Sequence, residues 1–456
     1  MTDATTGAAD TAPARRPARS LLAVLGPAFG LSIIIGNTIG SGILRTPGEV
    51  AHLLPSVTLF LAAWMLGAFY ALLGGNGLAE LATMMPESGG YTVYLRRALG
   101  LYAGFVIGWT DWLSTCSSAA LAALVIGEYA SILFGASLSL GPAIAAGVIL
   151  AFALLQWRGI REGSVAQNLT ALAKTLAFAI LIGACFLLGR GFQSGTAHAV
   201  TSGFPLLAAF VVAMQSVVFT YDGYNGVVYF SGELKNPARD IPRSIFGGVL
   251  AVAVIYLLLN LGFLYVLPLT RMAGDPLVAA AAAKEMFGPR GDTILRVLTI
   301  ASLISALNAY LLMTPRVLYR LSVFGFFSAG RYVNKGGTPA IALWLSAAVV
   351  MALALTGTVQ IVLAVTAFFF VAQYALVFLS LFILRKKEPD TPRPFRAKGH
   401  PWTTGLVLLF SIAFLIANVF ADTRNSVYSL LLLALSWPIY LMVRPKAEQP
   451  AANQSL

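Results

Sequence analysis

The sequence predicts an all-helical integral membrane protein with twelve transmembrane segments, and three observations predict it. First, 58% of the 456 residues are hydrophobic and only 11% are charged, against about 25% charged in an average globular protein. A soluble chain of this composition would have no polar surface. Second, the apolar runs reach the roughly 20 residues that a helix needs to cross the hydrocarbon core. Third, basic residues alternate along the chain. Of the 30 Lys and Arg, 22 fall at or beside the even-numbered connections and the two tails, 6 at the odd-numbered ones and 2 inside spans. Positive residues mark the cytoplasmic side, so both termini are expected in the cytoplasm.

Residues 1–20 are polar, rich in Ala and Thr, and hold Arg15, Arg16 and Arg19. They lack the apolar core of a signal peptide and read as a short cytoplasmic tail. The spans are expected near 24–52, 57–79, 101–134, 141–157, 165–189, 204–230, 244–267, 292–321, 338–356, 358–384, 402–421 and 425–443, with a second tail at 444–456. The fourth is short and the third is long enough to tilt. The net charge of +12 belongs to orientation in a lipid bilayer, not to nucleic acid. Cys116 and Cys185 lie inside apolar spans, so neither a structural disulfide nor a disulfide-linked partner is expected. No Cys/His cluster suggests a metal, and nothing suggests a cofactor. A membrane enzyme would want mid-membrane His/Asp/Glu clusters, but His52, His198 and His400 sit near span ends. An ion channel would want symmetric pore repeats.

Two spans break the rule that backbone in lipid must stay helical. The first carries Gly36, Asn37, Thr38, Gly40, Ser41 and Gly42, with its irregular stretch at Ile39–Gly42. The sixth carries Asp222, Gly223, Asn225 and Gly226 at mid-span. A lone carboxylate there costs about 2.5 kcal/mol or more, so Asp222 is expected to face the interior. Glycines also permit close helix packing, but these two breaks open corresponding positions of two five-span halves. That pattern marks a transporter binding site. The half-helix beginning at Ser41, Gly42 and Ile43 offers free N–H groups and a positive dipole end to a carboxylate. Freed carbonyls near Phe219 suit an ammonium. Together they describe a site for a zwitterion.

The same stretches, IGNTIGSGIL, PESGGYTVYLRRALG, FTYDGYNGVVYFSGELKNPARDIPRSI and LNAYLLMTPRVLY, resemble the amino acid–polyamine–organocation transporters, and most the bacterial L-type amino acid transporter branch. The likeness covers about Leu25 to Arg444. It implies a LeuT-type fold: an inverted repeat of five helices (21–200) and five helices (201–385), then two more (386–443). It implies amino acid transport across the bacterial inner membrane, by exchange or proton coupling. The substrate-binding residues it implies are Thr38, Ile39, Ser41, Gly42, Ile43, Phe219, Thr220, Asp222, Gly223 and Asn225, with the Phe219 ring as a gate. A sensor that does not transport, or a carrier of a related amine, are the alternatives. Tyr224 stands where the branch usually has Trp, and RLSVFGFFSAGRYVNKGGTP lacks the usual acidic-Gly signature. No heavy-chain partner is implied, since the loop 135–140 has no cysteine.

Lys174 lies ten residues past Ser164, about 15 Å into the membrane by helical rise. Its stem can snorkel part of that distance. Alternatively the ammonium is buried against carbonyls of the broken first helix, with Ser302 and Ser305 as further oxygen donors. In the family a lysine here resembles a built-in substitute for a sodium ion, which implies sodium-independent transport. For Asp111 two readings stand: lining the pathway, or pairing locally. For Asp222 they are contacting cargo, or capping the broken helix. Arg45 and Glu49 are spaced for a helical salt bridge. Glu80 and Glu87 are expected on solvated faces near a cytoplasmic connection. Glu233, Lys235, Arg239 and Asp240 offer either a cytoplasmic gate or ordinary surface pairs.

Overall fold

The computed structural model describes residues 20–192, 205–421 and 423–445. The tail arginines Arg15, Arg16 and Arg19, His198, and the second tail beyond Pro445 lie outside the described residues. The first segment is a bent pair, α1 (Pro27–Thr38) and α2 (Gly42–Leu53). Then follow α3 (Val57–Met84), α4 (Tyr91–Leu99), α5 (Leu101–Leu133), α6 (Gly141–Arg158), α7 (Ile160–Leu188) and α8 (Leu206–Thr220). After a 3₁₀ stretch at Gly226–Glu233 come α9 (Pro237–Val266), α10 (Leu269–Met272), α11 (Val278–Phe287) and α12 (Gly291–Val323). The chain closes with α13 (Ala340–Thr356), α14 (Val359–Lys387), α15 (Trp402–Ala421) and α16 (Thr423–Val443). Among the described residues nine helices are long and apolar enough to cross a membrane, and the bent pair makes a tenth. The apolar helices α8 and α13 are shorter.

Both breaks fall where the sequence loses helix formers. Helix α1 starts at Pro27, whose missing N–H costs nothing at a first turn, and stops at Thr38. Ile39 then turns extended, and α2 leaves at 50° to α1. Helix α8 stops at Thr220, and Gly223 takes φ +118°, a left-handed backbone that suits glycine. The continuation is 3₁₀, not the α-helix expected to residue 230.

One end of the bundle carries both described termini. Leu22 packs on Gly337 and Pro445 on Gly325, in the connection between α12 and α13. At that end the Leu25 N–H donates to the Glu233 carbonyl and the Lys235 N–H to the Leu25 carbonyl, each at 2.9 Å. This short parallel bridge ties the entry of α1 to the exit of the sixth segment.

Three expectations about charged residues are corrected here. Glu80 is 0% exposed, not solvated. Helix α3 runs on past it to Met84, and the connection after α14 folds back over it. Arg385 donates to its two oxygens at 2.9 and 2.5 Å, Arg393 lies at 3.1 Å, and the Ala397 N–H donates at 2.7 Å. Glu49 does not pair with Arg45; it accepts from the Ser216 hydroxyl at 2.9 Å. Glu233 is no surface residue, as its exposure is 0%.

Candidate functional site

The two breaks touch. A Cβ placed on Gly223 would sit 2.6 Å from the Thr38 hydroxyl oxygen and 2.7 Å from the Thr38 backbone nitrogen. The Asn37 side-chain amide donates to the Gly223 carbonyl at 3.2 Å. Two unwound backbones this close are possible because residue 223 carries no side chain.

A helix ending inside a membrane leaves its last carbonyls without partners. Side chains from three other helices supply them. The Lys174 ammonium, on α7 and 0% exposed, donates to the Gly36 and Ile39 carbonyls at 2.8 and 2.5 Å. The Tyr256 hydroxyl, on α9, lies 2.9 Å from the Thr38 carbonyl and 3.1 Å from that of Thr220, one from each break. The Ser302 hydroxyl, on α12, donates to the Ile39 carbonyl at 3.1 Å. The expectation that Ser302 and Ser305 give oxygens to Lys174 is therefore corrected. Ser302 shares an acceptor with the lysine, and Ser305 meets the Gln167 amide at 3.4 Å. Both oxygens bonded to the ammonium come from the first segment's backbone. Snorkelling is excluded by the full burial.

Gln167 extends this framework one turn along. Its amide donates to the Ser32 carbonyl at 3.1 Å, and its oxygen accepts from Asn308 at 2.8 Å. Asn308 in turn accepts from Gln156 at 3.0 Å. Helices α1, α6, α7 and α12 are thus joined by buried amides.

A cavity of about 330 Å³ lies beside the second break, on its side away from the termini. Its walls come from α2, α3, α8, α14 and α15. Of the expected site residues, Phe219 and Asp222 line it. Phe219 is 68% exposed, and its ring meets Phe370 edge-on at 5.7 Å. Thr38, Ile39, Ile43, Thr220, Gly223 and Asn225 are buried behind this wall, while Ser41 is exposed and Gly42 partly so. The Gly42 and Ile43 amides open α2 and so have no acceptor within the helix. The carbonyls near Phe219 are partly engaged. That of Phe219 accepts from the Asp222 N–H at 3.2 Å, that of Thr220 from Tyr256, and that of Gly223 from Asn37.

The other side of the breaks, toward the termini, is closed. Glu233 accepts from Arg316 at 3.1 and 2.9 Å and from Ser88 at 3.2 Å, with side-chain exposures of 1% for the arginine and 0% for the glutamate. Arg316 also donates to the Leu312 carbonyl at 2.8 Å. Beside it Arg320 pairs with Glu87 and donates to the Ser88 carbonyl at 2.6 Å. Asp111 pairs locally: the Tyr229 hydroxyl stands 2.9 Å from both of its oxygens.

Sequence reasoning missed Tyr256, Gln167, Arg316 and the aromatic wall residues Phe370 and Tyr374. A lone tyrosine in AVAVIYLLLNLG was a visible signal, since polar groups at mid-span are costly and therefore placed with purpose. Nothing in LFILRKKEP points Arg385 at Glu80.

Similarity to other proteins extends over nearly the whole chain. The sequence pattern of a family described as "Amino acid permease" matches residues 29–443. The chain is 28% identical over 426 residues to the "Serine/threonine exchanger SteT" of Bacillus subtilis (strain 168), covering 91% of this chain and 95% of that protein. It is 28% identical over 421 residues to the "b(0,+)-type amino acid transporter 1" of Mus musculus, covering 88% and 84%. It is 26% identical over 433 residues to the "Branched-chain amino acid permease BcaP" of Bacillus subtilis (strain 168), covering 88% and 89%.

Proposed function

The chain belongs to the amino acid permease family, in the amino acid–polyamine–organocation superfamily, so it moves amino acids across a membrane and is not an enzyme; from that premise we propose sodium-independent transport of L-amino acids by alternating access across the bacterial cytoplasmic membrane. The family implies a LeuT-like fold. The finer reading is twelve spans in a five-plus-five inverted repeat, with two further helices and both termini cytoplasmic. The cargo's α-carboxylate sits at the Ser41–Gly42–Ile43 amides and its ammonium at the carbonyls around Phe219 and Asp222. Exchange is the favoured mode and proton coupling the alternative, since one of the similar proteins is named as an exchanger.

One observation carries the sodium independence. The Lys174 ammonium fills, with a covalently tethered charge, a site made of freed carbonyls at a helix break. A hard cation would want those same oxygens, so none needs to be recruited. In proteoliposomes preloaded with unlabelled amino acid, replacing external sodium by choline should leave labelled uptake unchanged. Uptake that falls with sodium would overturn the reading.

Orientation has its own check. A protease site placed at either end of the chain in inverted membrane vesicles should be cut at both ends. Protection of one end alone would remove the even span count.

A further inference from the structure

Where the connection between α6 and α7 meets the one between α12 and α13, two backbones are bonded to each other. The Ile160 N–H donates to the Gly336 carbonyl at 3.0 Å, and the Asn334 side-chain amide donates to the Trp157 carbonyl at 2.5 Å. A Cβ on Gly336 would stand 2.5 Å from the Gly159 Cα. Arg158 and Arg161 flank one side of this contact and Lys335 the other, and all three are exposed. Consecutive Cα atoms lie about 3.8 Å apart, so those of Arg158 and Lys335 are within about 12 Å of each other. Both side chains are long enough to reach one anionic headgroup between them.

No acid neutralises the three cations. The ion pairs among the described residues leave out Arg158, Arg161 and Lys335. The acid nearest in sequence, Glu162, lies back over the connection, its carboxylate 2.6 Å from where a Cβ on Gly159 would stand. Arg331 is engaged elsewhere, donating to the Ser322 and Val323 carbonyls at 2.6 and 3.1 Å. Beside the cations stand two half-exposed tryptophans from different helices. Trp157 ends α6 and Trp344 belongs to the first turns of α13, and their rings lie 6.5 Å apart. Tryptophan favours the boundary between hydrocarbon and headgroups. A soluble anion would use the cations and leave the tryptophans in water; a lipid uses both.

We infer that this junction is a binding site for an anionic phospholipid, whose phosphate bridges Arg158 and Arg161 to Lys335 while its acyl chains cover Trp157 and Trp344. Basic recesses between helices at a cytoplasmic membrane face are suited to such headgroups, and each Lys or Arg there strengthens binding by a factor of about five.

The test extracts the whole chain from bilayers of equimolar phosphatidylcholine and phosphatidylglycerol and measures the lipid retained by native mass spectrometry. The wild-type chain should retain phosphatidylglycerol over phosphatidylcholine by tenfold or more. Arg158→Gln/Arg161→Gln/Lys335→Gln should lower that enrichment at least fivefold. A control, Lys386→Gln/Arg396→Gln/Lys398→Gln, removes three exposed cations from the connection after α14 and should lower it less than twofold. Excess glycerol 3-phosphate should not displace the lipid. Absence of enrichment in the wild type would overturn the inference. Equal losses in the two triple variants would overturn it too, by assigning the effect to diffuse charge. Displacement by glycerol 3-phosphate would replace the lipid with a soluble phosphate ester. Should the first triple variant not fold, Lys335→Gln alone, on an exposed connection, should still lower the enrichment severalfold, and an unchanged value would count against the site.

Discussion

Replacing Lys174 with alanine is expected to reduce amino acid uptake by one to two orders of magnitude. The ammonium is 0% exposed and holds two carbonyls of the first segment, those of Gly36 and Ile39. A hydrogen bond to a charged group contributes about 1.5–3 kcal/mol, so loss of one already accounts for a factor near ten or above. The two carbonyls do not suffer equally. That of Ile39 keeps the Ser302 hydroxyl, whereas that of Gly36 is left facing an empty space. The position of α1 relative to α7 then depends on Gln167 alone among these polar contacts. Alanine also opens a cavity, which by itself destabilises a packed interior. Lys174→Met separates the two effects, because it keeps the stem and removes the charge. Uptake per correctly folded molecule, with folding judged by a monodisperse size-exclusion peak, should fall as far in Lys174→Met as in Lys174→Ala. Wild-type uptake by the methionine variant would show that the stem, not the charge, positions the broken helix.

The comparison of Lys174 with Glu80 shows what a sequence reveals and where it stops. Lys174 was legible because a charge ten residues into an apolar run has few ways to be satisfied, and the broken first span offers carbonyls. The breaks themselves were legible for the same reason: Gly, Asn and Asp have no business in lipid unless the backbone turns away from it. The partners were not legible. Lys174 and Gly36 are separated by 138 residues, Arg385 and Glu80 by 305, and Arg316 and Glu233 by 83. Local periodicity carries no information over such distances. Ser302 and Ser305 illustrate the point. Both face the right neighbourhood on α12, one turn apart, but only the three-dimensional register decides that one meets Ile39 and the other Gln167. The 3₁₀ continuation of the sixth segment was equally hidden, because GVVYFSGE has the apolar content of an ordinary span.

The buried pair of Glu233 and Arg316 gives the second large effect. Neither side chain is more than 1% exposed, and the arginine also lies 4.9 Å from the centre of the Phe230 ring. Removing one member leaves the other charged and unpaired, at a cost of about 3–5 kcal/mol. Arg316→Met and Glu233→Leu should each lower the apparent melting temperature sharply, read as loss of the monodisperse peak after heating. The double variant removes both charges, and a buried pair replaced by apolar groups is often as stable as the pair. Stability should therefore return in Arg316→Met/Glu233→Leu. Transport should not. The 3₁₀ stretch that carries Glu233 packs on α12 through this pair, and under the alternating-access mechanism proposed above, cargo leaving toward the termini requires the two to part and meet again in every cycle. With the pair gone, closure loses the contact that draws them together, and uptake should stay at least tenfold below wild type while the melting temperature recovers. A double variant that regains both would reduce the pair to a structural device. One that regains neither would show that the arginine's further bonds, to Leu312 and the Phe230 ring, carry the fold on their own.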